Sequence, residues 1–206
     1  MKQGNQDVKS QILEATDKLL AQKGYRGMTV EDLAREVGIG KGTVYLHFQS
    51  KEDIALAHIG NIIERLTDKL SEIAQSQLSP EEKIKQILIT RVTHRYESIQ
   101  EYHLSLSDLF ADLHSKVNEY RKRSFIEEGA IIASVIKEGQ ANGVFRNGDP
   151  HAFAAHFVTS TNSLMPLYLV LSEIGDRENL VKNAASIGEF LLDAIRTARP
   201  NAANNS

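Results

Sequence analysis

The stretch from Thr29 to Lys51 contains two short helical patterns separated by a glycine turn. Thr29 is a typical helix N-cap, and Asp32 stands three residues later, where a carboxylate completes a capping box. Gly38 follows the apolar spacing of the first helix, at the point where a left-handed residue commonly ends a helix. A second helix is predicted over residues 41–48. Two short helices joined by such a tight turn predict a helix-turn-helix.

The two sides of the second helix differ in chemistry. Val44 and Phe48 are four residues apart and form its predicted buried side. The opposite side offers a cation, a small residue that permits close approach of the backbone, and an aromatic ring with a hydroxyl: Lys41, Gly42 and Tyr45. Such a set can contact base edges and phosphates in a major groove. Leu46 is predicted either to contact a thymine methyl group or to pack on the preceding helix.

A further helix is predicted to begin directly after Ser50. Ser50 is its N-cap, and Asp53 stands at the reciprocal position of a capping box. Lys51 lies in the first turn. The first-turn amides and this cation both favour a phosphate, which extends the predicted DNA-contacting surface beyond the second helix.

The run Thr-Val-Tyr-Leu-His-Phe-Gln-Ser-Lys-Glu-Asp, preceded by Gly-Ile-Gly-Lys-Gly, resembles the DNA-binding signature of TetR family (tetracycline-repressor-like) transcriptional regulators. The resemblance implies an all-α protein with an N-terminal three-helix helix-turn-helix domain over residues 1–51. It implies a C-terminal helical ligand-binding and dimerisation domain over residues 52–206. The residues that it implies contact bases or phosphates are Thr29, Lys41, Gly42, Thr43, Tyr45, His47 and Lys51.

Two positions depart from the family pattern. Glu31 stands where some relatives place a base-contacting cation, and it either accepts a hydrogen bond from a cytosine amino group or is solvated. Gly40 stands where a polar cap of the second helix is usual, so we expect that helix to begin less firmly. The departures leave the operator sequence open.

Charge and composition agree with this interpretation. The formal net charge is −3, but residues 1–51 carry +2 and the remainder −5, which confines a basic surface to the N-terminal part. The chain has no cysteine, so disulfide and thiol chemistry are excluded. The N-terminus lacks the apolar segment of a signal peptide, and no apolar run reaches membrane-spanning length. We therefore expect a soluble cytoplasmic protein with no membrane partner.

The remaining pattern is helical, with no strand-like alternation. Ser79-Pro80-Glu81-Glu82 is a strong helix start, because it combines a serine cap, a proline in the first turn and early acidic residues. Outside the helix-turn-helix, helices are predicted over residues 8–23, 51–75, 80–98, 102–114, 116–142, 150–174 and 177–198.

The last two predicted helices form the predicted homodimer interface. Ala184 and Gly188 are four residues apart and create a face of small residues that allows close helix approach. Paired with their symmetry mates, the two helices would make a four-helix interface. The alternative is that both are core helices of a monomer.

The resemblance also implies a ligand pocket among the middle helices, for a small organic effector. Pro166 removes a helical hydrogen bond and exposes the carbonyl of Asn162, which predicts that Asn162 faces a cavity. For each aromatic candidate, core packing is the alternative. The predicted ligand-binding residues are Tyr96, His103, Phe110, His114, Phe125, Asn162 and Tyr168.

Other chemistries find no support in the sequence. The histidines lack metal-binding spacing, and no nucleophile elbow, phosphate loop or paired catalytic carboxylates occur, so we expect no metal, no cofactor and no enzymatic activity. The sequence predicts a DNA-binding transcriptional regulator, a repressor that a small organic ligand releases from a palindromic operator on double-stranded DNA. The alternatives are an activator, or a protein-interaction adaptor of the same fold without DNA binding.

Overall fold

The computed structural model describes residues 2–101, 103–164 and 176–197, with side chains described for 7–98, 112–113, 115–164 and 176–197. This part of the chain is all-α, as predicted. Its eight helices are α1 (Lys2–Gly27), α2 (Val30–Val37), α3 (Lys41–His47), α4 (Lys51–Gln75), α5 (Pro80–Glu101), α6 (His103–Ala141), α7 (Pro150–Asn162) and α8 (Arg177–Ile195).

The chain divides into two compact units. The first comprises residues 1–66 and 95–124, and the second comprises residues 67–94 and 125–206. Helices α4, α5 and α6 therefore each contribute residues to both units. The domain boundary predicted at residue 51 stays a prediction.

The core of the first unit explains why the N-terminal helices fold together. Apolar residues at helical spacing on α1 meet the inward residues of α2, α3 and α4, and none of their side chains is more than 1% exposed: Ile12, Leu20, Leu33, Val44 and Ile54. Burial of each such side chain contributes roughly 1.5–3 kcal/mol. This shared core holds the short α3, which cannot persist alone at this length.

A buried histidine packs in the same unit. The side chain of His58 is 3% exposed, and its Nε2 lies 3.6 Å from Oδ1 of Asp17. Burial lowers the pKa of His58 to about 4, the Asp17 carboxylate opposes this shift, and Arg65 adds to it. The folded protein therefore keeps His58 neutral at physiological pH.

The second unit contains a buried ion pair. Nε of Arg91 on α5 donates to Oε2 of Glu128 on α6 at 2.5 Å, and the two side chains are 1% and 0% exposed. The guanidinium also donates to the hydroxyl of Thr161, and its Nη2 donates to Oδ1 of Asn162 at 3.1 Å. One charged network thus joins three helices.

A latch at the end of α8 completes the second unit. Phe145 and Arg196 form an isolated antiparallel bridge, in which the Arg146 amide donates to the Ile195 carbonyl at 2.8 Å and the Thr197 amide donates to the Val144 carbonyl at 3.0 Å. The Phe145 ring is buried directly against Gly139 of α6, where a side chain would collide with it. We call these two hydrogen bonds the C-terminal latch.

Most predicted helix boundaries lie within four residues of the observed ones, and two differ by more. Helix α1 begins at Lys2 rather than Val8, although no apolar stripe marks its first turns. Residues 103–141 are broken by a kink at Leu113, whose φ of −124° and ψ of 20° are non-helical, close to the point where the two helices predicted over 102–114 and 116–142 were expected to meet. Residues 165–174 of the helix predicted over 150–174 lie outside the described residues, and α7 ends at Asn162. That end lies four residues before Pro166, which has no amide hydrogen for the Asn162 carbonyl.

The small-residue face of α8 serves a different purpose from the one predicted. Ala184 and Gly188 are both buried within this chain. A β-carbon on Gly188 would lie 2.9 Å from Cδ1 of Leu88 on α5. The small residues therefore permit α5 to pack closely inside the protomer, and the expectation that they face a second copy is wrong.

No helix in the described part of the chain combines the length and the apolar character that a bilayer crossing requires.

Candidate nucleic-acid interface

Helix α2 is fixed at both ends by local chemistry. Oγ1 of Thr29 accepts from the Asp32 amide at 3.1 Å, and the Thr29 amide donates to Oδ2 of Asp32 at 3.2 Å, so the predicted capping box is present. The Lys23 ammonium and the Thr29 hydroxyl lower the pKa of Asp32 to about 2. Gly38 has φ 77° and ψ 28°, the left-handed conformation predicted for the helix end. These two ends determine where α3 begins.

Helix α3 presents one face to the core and the other to solvent. Val44 is fully buried and Phe48, which directly follows the helix, is 6% exposed, as predicted. Tyr45 is 46% exposed and Leu46 is 84% exposed, so Leu46 does not pack on α1. Gly40 provides no side-chain cap. The helix therefore depends on its buried face and offers an aromatic ring and an apolar side chain to a partner.

Lys41 begins α3 within an ion pair. Its ammonium donates to Oε1 of Glu31 on α2 and lies 5.8 Å from the centroid of the Tyr45 ring. The hydrogen bond to Lys41 lowers the pKa of Glu31, and the same bond raises the pKa of Lys41. The side chain of Lys41 remains 47% exposed, and that of Glu31 remains 59% exposed. Both charges are therefore accessible to a macromolecule on this face.

Lys51 is engaged within the first unit. Its ammonium donates to the carbonyls of Tyr25 at 3.0 Å and Met28 at 3.3 Å, and it lies 4.4 Å from the centroid of the Tyr25 ring. The Tyr25 hydroxyl donates to Oε1 of Glu52 at 3.4 Å, and burial together with that carboxylate raises the pKa of Tyr25 to about 12. Lys51 thus ties α1 to the start of α4.

The predicted DNA-contacting residues all belong to the first unit, in three arrangements. Lys41, Gly42 and Tyr45 are exposed on α3, and Thr43 and His47 of the same helix are half-buried. Thr29 is exposed, but its hydroxyl and amide both bond to Asp32. Lys51 bonds to backbone carbonyls. Glu31 was predicted from the sequence either to accept from a cytosine amino group or to be solvated, and its ion pair with Lys41 across the turn was not predicted.

A cavity of about 330 Å³ lies within the second unit. Its walls come from α6 and α7, and the residues that line it include two predicted ligand-binding residues, Phe125 and Asn162. Tyr96 is half-buried and belongs to the other unit. The side chains of His103, Phe110 and His114, and the whole of Tyr168, lie outside the described residues. The other lining residues are Ile126, Gly129, Ala130, His151, Ala155, Val158 and Thr159.

The N-terminal unit holds a two-helix motif on a small core, and one of its helices exposes a cation and an aromatic ring. In an all-helical chain, this arrangement defines a helix-turn-helix DNA-binding regulator. Residues 12–58 match the family model described as bacterial regulatory proteins, tetR family. Over these residues the chain carries the DNA-binding domain of the TetR family of transcriptional regulators.

Comparisons over longer stretches agree. The fatty acid metabolism regulator protein of Bacillus subtilis (strain 168) is 25% identical over 194 residues, which cover 90% of this chain and 94% of that protein. The HTH-type transcriptional repressor KstR2 of Rhodococcus jostii (strain RHA1) is 28% identical over 163 residues, 77% of this chain and 78% of the relative.

A solved structure shares the fold. The transcriptional regulator FadR from Bacillus subtilis, in complex with stearoyl-CoA, superposes with a TM-score of 0.60 at 20% sequence identity. The match covers 91% of this chain and 99% of that chain. At this identity the likeness establishes the helical architecture.

Proposed function

We propose that the protein is a homodimeric repressor that binds a palindromic operator in the cytoplasm and is released by a small organic ligand. The observation that carries the proposal is the division of α3 into a buried side, Val44, and an exposed side with Lys41, Gly42 and Tyr45. In this proposal α3 of each protomer enters the major groove. The two half-sites then lie about one helical turn apart, roughly 34–36 Å.

Within that proposal the predicted residues contact different parts of the DNA. Lys41, Gly42 and Tyr45 contact base edges, and Leu46, at 84% exposure, contacts a thymine methyl group. Thr43 and His47 contact phosphates on either side of the groove. Thr29 and Lys51 were predicted to contact phosphates as well, and their internal hydrogen bonds favour a structural contribution instead.

The proposed dimer uses the last helices of the chain. Phe190 on α8 is 75% exposed, so a large apolar side chain of the last helix is available to a second copy of the chain. We expect Phe190→Glu to produce monomers in sedimentation velocity and to lose operator binding. A matched change on an exposed polar residue of the same helix, Asn183→Glu, should leave the dimer intact.

The proposed ligand site is the cavity between α6 and α7. Its volume is at the low end for small-molecule sites, and its lining combines apolar side chains with the amide of Asn162. A ligand with an apolar body and one polar group fits this lining. Because one similar protein is a fatty acid metabolism regulator and a fold relative binds stearoyl-CoA, a long-chain acyl thioester is the first probe.

For a ligand to release the operator, it must bind the operator-free shape of the protein more tightly than the operator-bound shape. We expect stearoyl-CoA to dissociate a preformed protein–operator complex, and free coenzyme A to leave it intact. Phe125→Ala should weaken the response while operator affinity is unchanged. Equal responses of the variant and the wild type would place the ligand elsewhere.

The test of DNA binding is selection of sites from random DNA by the purified wild-type protein at about 150 mM salt, where non-specific binding is suppressed. We expect an inverted repeat to emerge. Tyr45→Ala should lose affinity for the selected site, whereas Tyr120→Ala, which removes a 38% exposed tyrosine on α6, should keep it. If the folded wild-type dimer selects no sequence, the proposal fails and the adaptor alternative gains support.

A further inference from the structure

The exposed face of α3 carries an acidic partner. Glu31 is the second residue of α2 and Lys41 is the first residue of α3, and their side chains form an ion pair across the turn. Both side chains are about half exposed, at 59% and 47%. An acceptor and a donor therefore stand next to each other at the edge of the surface proposed to enter the major groove.

A carboxylate at this position opposes DNA binding in general. It repels phosphates, and it occupies the ammonium that would otherwise bind one. Glu31 does have a simpler use, since an acidic residue in a first turn stabilises a helix N-terminus. However, the capping box of Thr29 and Asp32 already satisfies that end of α2, and Glu31 extends instead to the first residue of α3.

The paired groups match the major-groove edge of one base pair. A C·G pair presents the cytosine N4 amino donor beside the guanine O6 and N7 acceptors. A carboxylate accepts from cytosine N4 and an ammonium donates to guanine O6 or N7. The Glu31 carboxylate and the Lys41 ammonium, already adjacent, offer these two functions side by side. An A·T pair also presents a donor, the adenine N6 amino group, but it places that donor between two acceptors, adenine N7 and thymine O4. The two adjacent acceptors of guanine, with the cytosine donor at their side, are the better match for an ammonium beside a carboxylate.

We propose that Glu31 is a specificity-determining residue that acts with Lys41 to select a C·G pair in each half-site of the operator. On other sequences the ion pair stays closed, so Lys41 contributes no phosphate contact and non-specific affinity is reduced. On the matching pair, hydrogen bonds from the two side chains to the base edges replace part of their hydrogen bonding to each other. This inference rests on the proposed function, since it assumes that α3 enters the major groove of an operator.

The experiment compares Glu31→Ala and Glu31→Gln with a matched control in parallel site selections. The control is Glu36→Gln, which removes one negative charge from the same helix, where Glu36 pairs with Lys18 at 2.5 Å. We expect the wild type and the control to prefer a C·G pair at one symmetric position by roughly 5- to 150-fold. Glu31→Ala should abolish that preference, and Glu31→Gln should shift it towards adenine, which pairs with a glutamine amide.

Non-specific binding gives a second readout. With Glu31 removed, Lys41 becomes available to a phosphate, so the logarithm of the non-specific affinity should fall more steeply with the logarithm of salt, by about 0.9. Lys41→Met in the Glu31→Ala background should restore the original slope. Glu36→Gln should leave it unchanged.

The outcomes separate this inference from the proposed function. If the wild type selects an inverted repeat and Glu31→Ala selects the same repeat with the same base preferences, the inference is wrong and the proposed function stands. The inference is also overturned if Glu36→Gln and Glu31→Ala change base preference alike, because the effect is then general charge. If the wild type selects no site, both fail.

Discussion

Replacing Glu128 with glutamine tests whether the buried ion pair with Arg91 contributes to the free energy of unfolding as strongly as its burial indicates. The substitution keeps the shape and an amide oxygen that can accept from Arg91, but it removes the negative charge. The Arg91 guanidinium, 1% exposed, then loses its carboxylate partner in the interior of the second unit. Breaking a buried pair in this way costs about 3–5 kcal/mol, so we expect Glu128→Gln to lower the free energy of unfolding by that amount.

Removing both charges should be less harmful than removing one. In the double variant Arg91→Met, Glu128→Leu, no charge remains to be buried. Thr161 keeps its hydrogen bond to the Phe157 carbonyl at 2.7 Å, and Asn162 loses the donor to its Oδ1. The loss of that donor costs about 1–3 kcal/mol. The double variant should therefore be more stable than Glu128→Gln alone, which is a departure from additivity.

The assay is urea unfolding followed by far-ultraviolet circular dichroism, at one fixed protein concentration because oligomers gain stability by mass action. The control is Lys85→Met, which breaks an exposed pair with Glu189 at 2.5 Å in the same unit and should cost about 0–1 kcal/mol. A loss below about 1 kcal/mol for Glu128→Gln, or a double variant less stable than the single one, would refute the reasoning.

Three further predictions concern Lys51, His58 and two glycines of α6. Lys51→Met should lower the free energy of unfolding by about 1.5–3 kcal/mol, because the carbonyls of Tyr25 and Met28 lose a charged donor. It should leave the salt dependence of DNA binding unchanged. A slope of log affinity against log salt that is shallower by about 0.9 would support a phosphate contact instead. Because the pKa of His58 is lowered to about 4 on folding, stability should fall as pH drops from about 6.5 to 4, and His58→Leu should flatten that loss in acid titrations. In thermal unfolding, Gly139→Ala should destabilise by about 1–3 kcal/mol through collision with Phe145, whereas Gly129→Ala, 3.9 Å from Val158, should gain up to about 1 kcal/mol.

Features that depend on a few neighbouring residues were predictable from the sequence. The capping box of Thr29 and Asp32, the left-handed Gly38 and the helix start at Pro80 each involve contacts within about one turn. The buried and exposed sides of α3 follow from the spacing of Val44 and Phe48. Helix-turn-helix geometry is therefore encoded locally, and the structure confirms it.

Features that depend on distant residues were not predictable. Arg91 bonds to Glu128, 37 residues away, and to Thr161, 70 residues away, and no periodicity indicates such partners. Lys51 reaches carbonyls 23 and 26 residues earlier, which gives it a different environment from the one its place in a first turn suggested. Gly188 packs against Leu88 for the same reason: the fold brings α5 to that face.

The C-terminal latch has a consequence for how the chain can vary. The connection from Ala141 to Pro150 is exposed over much of its length, and surface connections of this kind usually accept insertions. Here the amides of Arg146 and Thr197 fix the position of the connection against the end of α8. An inserted residue between Gly143 and Arg146 would shift one partner past the other and lift the Phe145 ring from its place against Gly139. Evolution should therefore hold the length of this connection constant while leaving its outward side chains free to change.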